Sequence, residues 1–398
     1  MEHNAYVKHA FKVMVALPLA ILLISVSKAV QWQLVLATPQ TLTSSSSCKF
    51  PAIFNFGDSN SDTGGWSASF GQAGPPHGET FFHAPAGRYS DGRLIIDFIA
   101  EHSGLPYLNA YLDSMGSNFS HGANFATAAS TIRHQNTTSY SPFSFNVQFH
   151  QFYDFQNRSE IIRSKGDAFR SLLPTSESFS QALYTFDLGQ NDLTAVYFPN
   201  KSTDQVKATI PDILDQFETY IKEIYKQGGR YFWIHNTGPL GCLPYVLDGL
   251  SLDATQVDQT GCAIPINELA QYFNFGLKKV VVHLREHMPL AAITYVDVYS
   301  IKYNLISQAN KYGFENPLLA CCGHGGKNNY DVHKRCGAKV MENGKEVLVG
   351  SCKDPSVRIS WDGAHYTEAA NKWVFNRLVD GSYSDPPISL KMACYNQI

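Results

Sequence analysis

A parallel β-sheet with helices on both faces, a three-layer α/β domain, is the fold class this sequence predicts. Short continuous apolar runs rich in β-formers read as strands buried on both faces, and segments of helical period lie between them. Bulk agrees: 398 residues with 44% hydrophobic and 13% aromatic residues can bury a large core.

Taken in order, the chain begins with Lys8 and Lys12 before an apolar run from Val13 to Val26, followed by the small residues Ser27 and Ala29. That order predicts a secretory signal over 1–29, with cleavage near Ala29 or Ala37. The run falls short of the roughly 18 apolar residues a spanning helix needs. Residues 30–47, Ser/Thr-rich from Thr41 onward, predict a leader or linker. The domain is expected over 48–398. Its first strand is Ala52–Phe56, a β-forming run closed by a Gly-Asp-Ser turn. Leu94–Glu101 has helical period, Leu183–Leu188 is the second strand, and Ile210–Tyr225 is a clear amphipathic helix. Tyr231–His235 is the third strand, Glu268–Leu284 the third helix, Ile293–Val298 the fourth strand and Glu368–Leu378 the last helix.

The charge balance, 31 Lys+Arg against 34 Asp+Glu for a net charge of -3, offers no footprint for a phosphate backbone, so nucleic acid is not an expected partner. Eight cysteines without C-x-x-C spacing suit disulfides in an oxidising compartment better than zinc. Cys242 and Cys262 flank one loop-like segment and are expected to pair, and vicinal Cys321 and Cys322 to bond elsewhere. Asn118, Asn136, Asn157 and Asn200 each open an N-x-[ST] sequon and are expected glycosylation sites.

In sheets of this class ligands sit outside the carboxyl ends of the strands, which directs attention to the segments just after each apolar run. Gly57-Asp58-Ser59-Asn60 follows the first strand and Gly189-Gln190-Asn191-Asp192 the second, while Asp362-Gly363-Ala364-His365 precedes the last helix. Serine needs a base to take its proton, and the base needs a third group to fix its tautomer. Asp362 and His365, three apart in a turn, can supply that pair, Ser59 the nucleophile, and the Ser59 N–H, a second backbone N–H and Asn191 the oxyanion donors. Each segment alone has an ordinary reading as turn chemistry or a helix cap. Asp58, Asn60 and Asp62 imitate the start of a calcium loop, but Thr63 and Ser69 stand where its glycine and glutamate belong. His283 to His287 fits H-x-x-E-H without a third ligand, so no metal is expected. G-x-S-x-G is absent.

The strings FNFGDSNSDTG, HGANFATAAST, FDLGQND and WDGAHYTE, in this order, resemble the four sequence blocks of the GDSL esterase/lipase (SGNH hydrolase) family. GETFFHAPAGRYSDGRLIIDFIAE and WIHNTGPLGCLP further resemble its plant members, in the early-nodulin-like and latex-esterase-like branch. The resemblance implies a flavodoxin-like fold and hydrolysis of acyl esters through an acyl-enzyme, without a cofactor. It also implies Ser59 as nucleophile, His365 as base, Asp362 as its orienter, and Asn191 and the Ala129 N–H as oxyanion donors. The family places glycine where Ala129 stands; alanine is expected to keep the donor provided its φ is negative.

Aromatic richness without a long apolar lid segment favours a small polar ester, such as an acetyl or phenolic ester of a glycoside, over triglyceride. Acyl transfer to an alcohol or sugar acid by the same residues, and a secreted glycoprotein with a vestigial triad, are the alternatives. The plant branch includes proteins named α-fucosidase, but a glycosidase needs two carboxylates astride one sugar bond, and the sequence identifies no such pair. The expected location is extracellular, with a vacuole left open, and the expected partner is a small acyl ester.

Overall fold

The computed structural model describes residues 47–138, 141–197 and 201–395. The signal and leader expectations, and the sequon at Asn200, lie outside the described residues. Among the described residues no helix is long and apolar enough to cross a membrane.

Five parallel strands and one antiparallel edge strand form the sheet. In chain order they are β1 (Ile53–Gly57), β2 (Gly122–Asn124), β3 (Leu183–Asp187), β4 (Tyr231–His235), β5 (Ala292–Val296) and, after the hairpin β6 (Lys339–Glu342) and β7 (Lys345–Leu348), β8 (Ser384–Asp385). Their order across the sheet is β2-β1-β3-β4-β5-β8, and β8 alone runs antiparallel. The parallel sheet flanked by helices is the predicted class.

Register explains the core. Phe54 pairs with Tyr184 and Phe56 with Phe186 across β1 and β3, and Tyr184 with Phe232 across β3 and β4, so these rings share one face. The helix Phe145–Arg163 meets that face with Phe145, Phe152 and Phe155, at ring centroid distances of 5.5 to 6.2 Å from Phe54 and Phe56. Each ring removed from water contributes about 2–3 kcal/mol, so this interlocked set is a principal source of stability. Ile210–Lys226 and Ile264–His287 extend the same layer, and Ile95–His102, Val298–Ser307 and Glu368–Leu378 pack together as the other.

Two differences from expectation have local causes. The strand expected to reach Val298 stops at Val296, because the Asp297 side chain accepts from Ser300 N and starts a helix at Val298. Phe145–Arg163 was not expected at all. Its buried positions are mostly phenylalanines spaced by three or four among polar residues, and aromatic residues carry a strand preference when read locally.

All eight cysteines are paired: Cys48–Cys394, Cys242–Cys262, Cys321–Cys352 and Cys322–Cys336. The expected Cys242–Cys262 bond is present and the vicinal pair bonds outward. Replacing both Cys48 and Cys394 with serine is expected to lower stability by about 2–5 kcal/mol, read as a lower midpoint in thermal unfolding, since the bridge closes nearly the whole domain. His283 Nδ1 lies 2.6 Å from Glu218 Oε1 and His287 Nδ1 lies 2.8 Å from the His283 carbonyl, and among the described residues no cluster of metal-ligating side chains exists.

Candidate active site

The three segments expected to carry chemistry converge at the carboxyl ends of β1 and β3. Ser59 follows β1 directly and is 6% exposed. The strand end is clamped by Gln148, whose Oε1 accepts from Gly57 N at 3.0 Å and whose Nε2 donates to Gly57 O at 2.8 Å. Behind it, the buried Asp62 carboxylate accepts from the N–H groups of Gly64, Gly65, Trp66 and Ala128 at 2.6 to 3.0 Å. One side chain thereby ties the Ser59 loop to the loop that carries Ala129.

Asp362 builds its own turn. Its Oδ1 accepts from Ala364 N at 3.0 Å and His365 N at 2.9 Å, leaving Oδ2 to take His365 Nδ1 at 2.6 Å. Gly363 sits at φ 95°, and a Cβ there would meet the Tyr330 ring at 2.5 Å, so the turn requires glycine. Burial would push the Asp362 carboxyl up, but the imidazoles of His365 and His77 hold it far below the ordinary carboxylate range. Burial pushes His365 down; Asp362, assisted by Asp58, outweighs it and leaves the imidazole above its ordinary value.

No hydrogen bond joins Ser59 to His365 among the described residues, but both line one cavity of about 480 Å³ with Trp66, His77, Tyr89, Ala129, Asn191, Tyr245, Tyr330 and Arg335. Asp362 is the single carboxylate on that lining. The Ser59 and Ala129 N–H groups donate to no acceptor among the described residues, as donors awaiting a ligand would. The condition placed on Ala129 is corrected: its φ is 59°, not negative. It occupies the left-handed well where glycine is at ease, at a cost of about 1–2 kcal/mol, and its N–H still donates to no acceptor among the described residues. Asn191 is placed at the start of the helix Gln190–Tyr197, but its Nδ2 donates to Ser130 O at 2.9 Å and, at a long 3.3 Å, to Asp58 Oδ2.

Other residues that build the site carried no readable sequence signal. Asp192 accepts from Ile132 N and Arg133 N, and from Asn136 Nδ2 at 2.9 Å, fixing the loop after Ala129. Of the expected glycosylation sites, Asn136 is buried with its amide on Asp192, and Asn118 and Asn157 are exposed. Arg93 grips Glu368 through Nη2 at 2.7 Å and Nε at 3.2 Å, and Asp91 accepts from Glu368 N, anchoring the segment just after His365. Below Ser59, Asp187 faces His235 Nδ1 at 3.7 Å, and Trp233 Nε1 donates to His235 Nε2 at 3.1 Å.

Burial, then the charge of Asp187, pushes Asp58 up to about 7, and burial pushes Asp192 up to about 6. Both therefore hold protons in the folded chain where the unfolded chain has released them. Stability from this source is complete below the ordinary carboxylate range and lost as pH rises through about 6 and about 7. His365, raised, loses its contribution in the same direction, above its ordinary value. Asp187 and Asp362, held low, lose theirs as pH falls. The thermal midpoint is expected to peak at mildly acidic pH, and Asp58→Asn to flatten the decline toward neutrality, as a pH series of melting curves will show.

Comparison with known sequences identifies the family. The GDSL-like Lipase/Acylhydrolase family matches residues 53–378. The chain belongs to the GDSL esterase/lipase family. It is 62% identical to an Arabidopsis thaliana GDSL esterase/lipase over 355 residues, covering 88% of this chain and 93% of that one. It is 60% identical to Alpha-L-fucosidase 3 of the same plant, covering 84% and 91%. It is 54% identical to an esterase of Hevea brasiliensis, covering 88% and 90%. Among solved structures, phospholipase A1 from Streptomyces albidoflavus NA297 aligns with a TM-score of 0.36 and 12% identity over 82% of this chain and 99% of its own, a likeness too slight to bear on the fold. This GDSL family member is a carboxylic ester hydrolase.

Proposed function

We propose that the protein is a secreted serine esterase acting through an acyl-serine intermediate on small polar or glycosidic acetyl or phenolic esters. The observation that carries this reading is the Asp362–His365 pair at 2.6 Å, facing the same cavity as Ser59 and two N–H groups without acceptors. In it, His365 Nε2 takes the proton of Ser59 Oγ as that oxygen attacks the acyl carbon, and Asp362 keeps the imidazole in the tautomer that can accept. The N–H groups of Ser59 and Ala129 receive the oxyanion. Asn191 adds a third donor by exchanging its long contact with Asp58 for the developing charge. His365 then protonates the leaving alcohol, and water repeats the sequence on the acyl-enzyme. No metal or organic cofactor enters.

A cavity of about 480 Å³ walled by Tyr89, Tyr245 and Tyr330 suits an aromatic or short acyl group carried on a polar alcohol better than long acyl chains. A lone carboxylate, already bonded to His365, does not suit glycoside hydrolysis, which takes two. Complete cysteine pairing and exposed sequons at Asn118 and Asn157 support passage through the secretory pathway. The test is a fluorophosphonate probe on the purified glycoprotein. Labelling that disappears in Ser59→Ala is the expected result, and an unlabelled wild type would leave a vestigial triad.

One observation favours acyl transfer as the second reading: a neighbouring cavity of about 670 Å³ shares Tyr245, Tyr330 and Arg335 with the first and could seat an acceptor alcohol. Supplying an acyl donor with a soluble-metabolite extract and measuring free acid against new esters at initial rate separates the two.

A further inference from the structure

The proton path of the proposed reaction uses one imidazole, yet two converge on the same carboxylate oxygen. His77 Nε2 lies 3.8 Å from Asp362 Oδ2, the oxygen that His365 Nδ1 takes at 2.6 Å. His77 is 6% exposed and lies on the wall of the same cavity. Its ring is held from several directions. Nδ1 is 3.0 Å from the Gly74 carbonyl, and Tyr89 and Trp361 pack edge-on at 5.8 and 6.0 Å. The following Gly78 has φ 80°, and a Cβ there would meet Ala84 O at 2.1 Å, so the backbone leaving His77 has a single course.

Chemistry narrows what the ring can be doing. A carbonyl oxygen only accepts, so Nδ1 carries its hydrogen toward Gly74. Nε2 has no hydrogen-bond partner among the described residues, and the nearest charged group is the carboxylate, which also only accepts. Nδ1 is thus tied to the Gly74 carbonyl while Nε2 is left facing Asp362 Oδ2.

Resting on the esterase reading above, we propose that His77 is a positioning residue for the Asp362–His365 pair. It anchors the carboxylate and takes a share of its charge. Without that share the whole charge of Asp362 acts on His365 and holds its proton more tightly, and the imidazole becomes available as a base only at higher pH. The other groups facing His365 are Asp58, Lys302 and the Tyr89 ring, and Tyr330 approaches Asp362. All of these groups are retained in a His77 variant, and Tyr89, which touches both rings, is why the aromatic replacement is used.

The experiment measures kcat/KM for 4-nitrophenyl acetate against pH in wild type, His77→Phe and His77→Gln. Phenylalanine keeps the ring packed against Tyr89 and Trp361 but removes both nitrogens, and glutamine keeps one donor. The acid limb of His77→Phe is expected to move upward by up to about one pH unit, a loss of about five- to tenfold on the limb relative to the variant's own alkaline plateau. His77→Gln is expected to fall between the two, and the fluorophosphonate to label all three at the plateau. An acid limb that superimposes on wild type, whether or not the plateau falls, overturns the proposal, because a merely structural role lowers amplitude without moving the limb. Should the phenylalanine variant not fold, the limb of His77→Gln decides by the same criterion. A wild type that is neither labelled nor active refutes the esterase reading instead, so the two failures are told apart.

Discussion

Ser59→Ala is expected to lower kcat/KM on every ester the protein accepts by at least about 10³-fold while the thermal midpoint stays nearly unchanged. The two halves of that result have separate causes. The acyl-enzyme cannot form without Oγ, so only binding and the oxyanion donors remain to act on the attack of water. The fold does not use Oγ: the strand end is held by Gln148 on Gly57, and the loop beyond it by Asp62. Hydrolysis at the wild-type rate in this variant would remove the serine mechanism outright. A matching fall in the midpoint would instead assign Ser59 to the structure of the loop.

Asp362→Asn comes next, with an expected loss of about 10³- to 10⁴-fold in kcat and a preserved fold. Asparagine keeps an oxygen for Ala364 N and His365 N, so the turn survives. Its amide then points donor hydrogens at His365 Nδ1, where the carboxylate had accepted one. The ring answers by accepting there and carrying its hydrogen on Nε2, the nitrogen that receives the proton of Ser59 in the proposed mechanism. Unchanged kcat in a folded Asp362→Asn protein would show that the tautomer is set elsewhere.

How much of this was legible beforehand follows sequence distance. β1, β3 and β4 could be read because each is a continuous β-forming run, and the Asp362–His365 pair because its partners are three residues apart. Cys242–Cys262, separated by 20 residues, yielded to the same local logic. The supports of the site did not. Asp62 reaches Ala128, Arg93 reaches Glu368 and His77 approaches Asp362 only because the sheet brings remote strand ends to one edge. Such contacts leave no periodicity, and a buried aspartate in a turn looks like any turn aspartate until the donors around it are counted. β2, three residues long, is too short to carry a pattern. Ala129 illustrates a subtler limit: the residue type argued for a negative φ, and the surrounding bonds of Asp62, Ser141 and Asn191 to its neighbours overruled it.

The bond between Cys48 and Cys394 makes the described polypeptide a ring closed close to its own ends. For tension applied through those ends, two sulfur atoms stand in parallel with the entire sheet and are far stiffer than any noncovalent contact. The pull enters at one cysteine and leaves at the other, and the strands between bear none of it. The described part of an oxidised molecule stretched this way does not lengthen. The same molecule after reduction can pay out the contour of the 346-residue separation, about 3.3–3.6 Å for each residue. Oxidation state, more than sheet stability, therefore sets the mechanical strength of this hydrolase along the line joining Cys48 and Cys394.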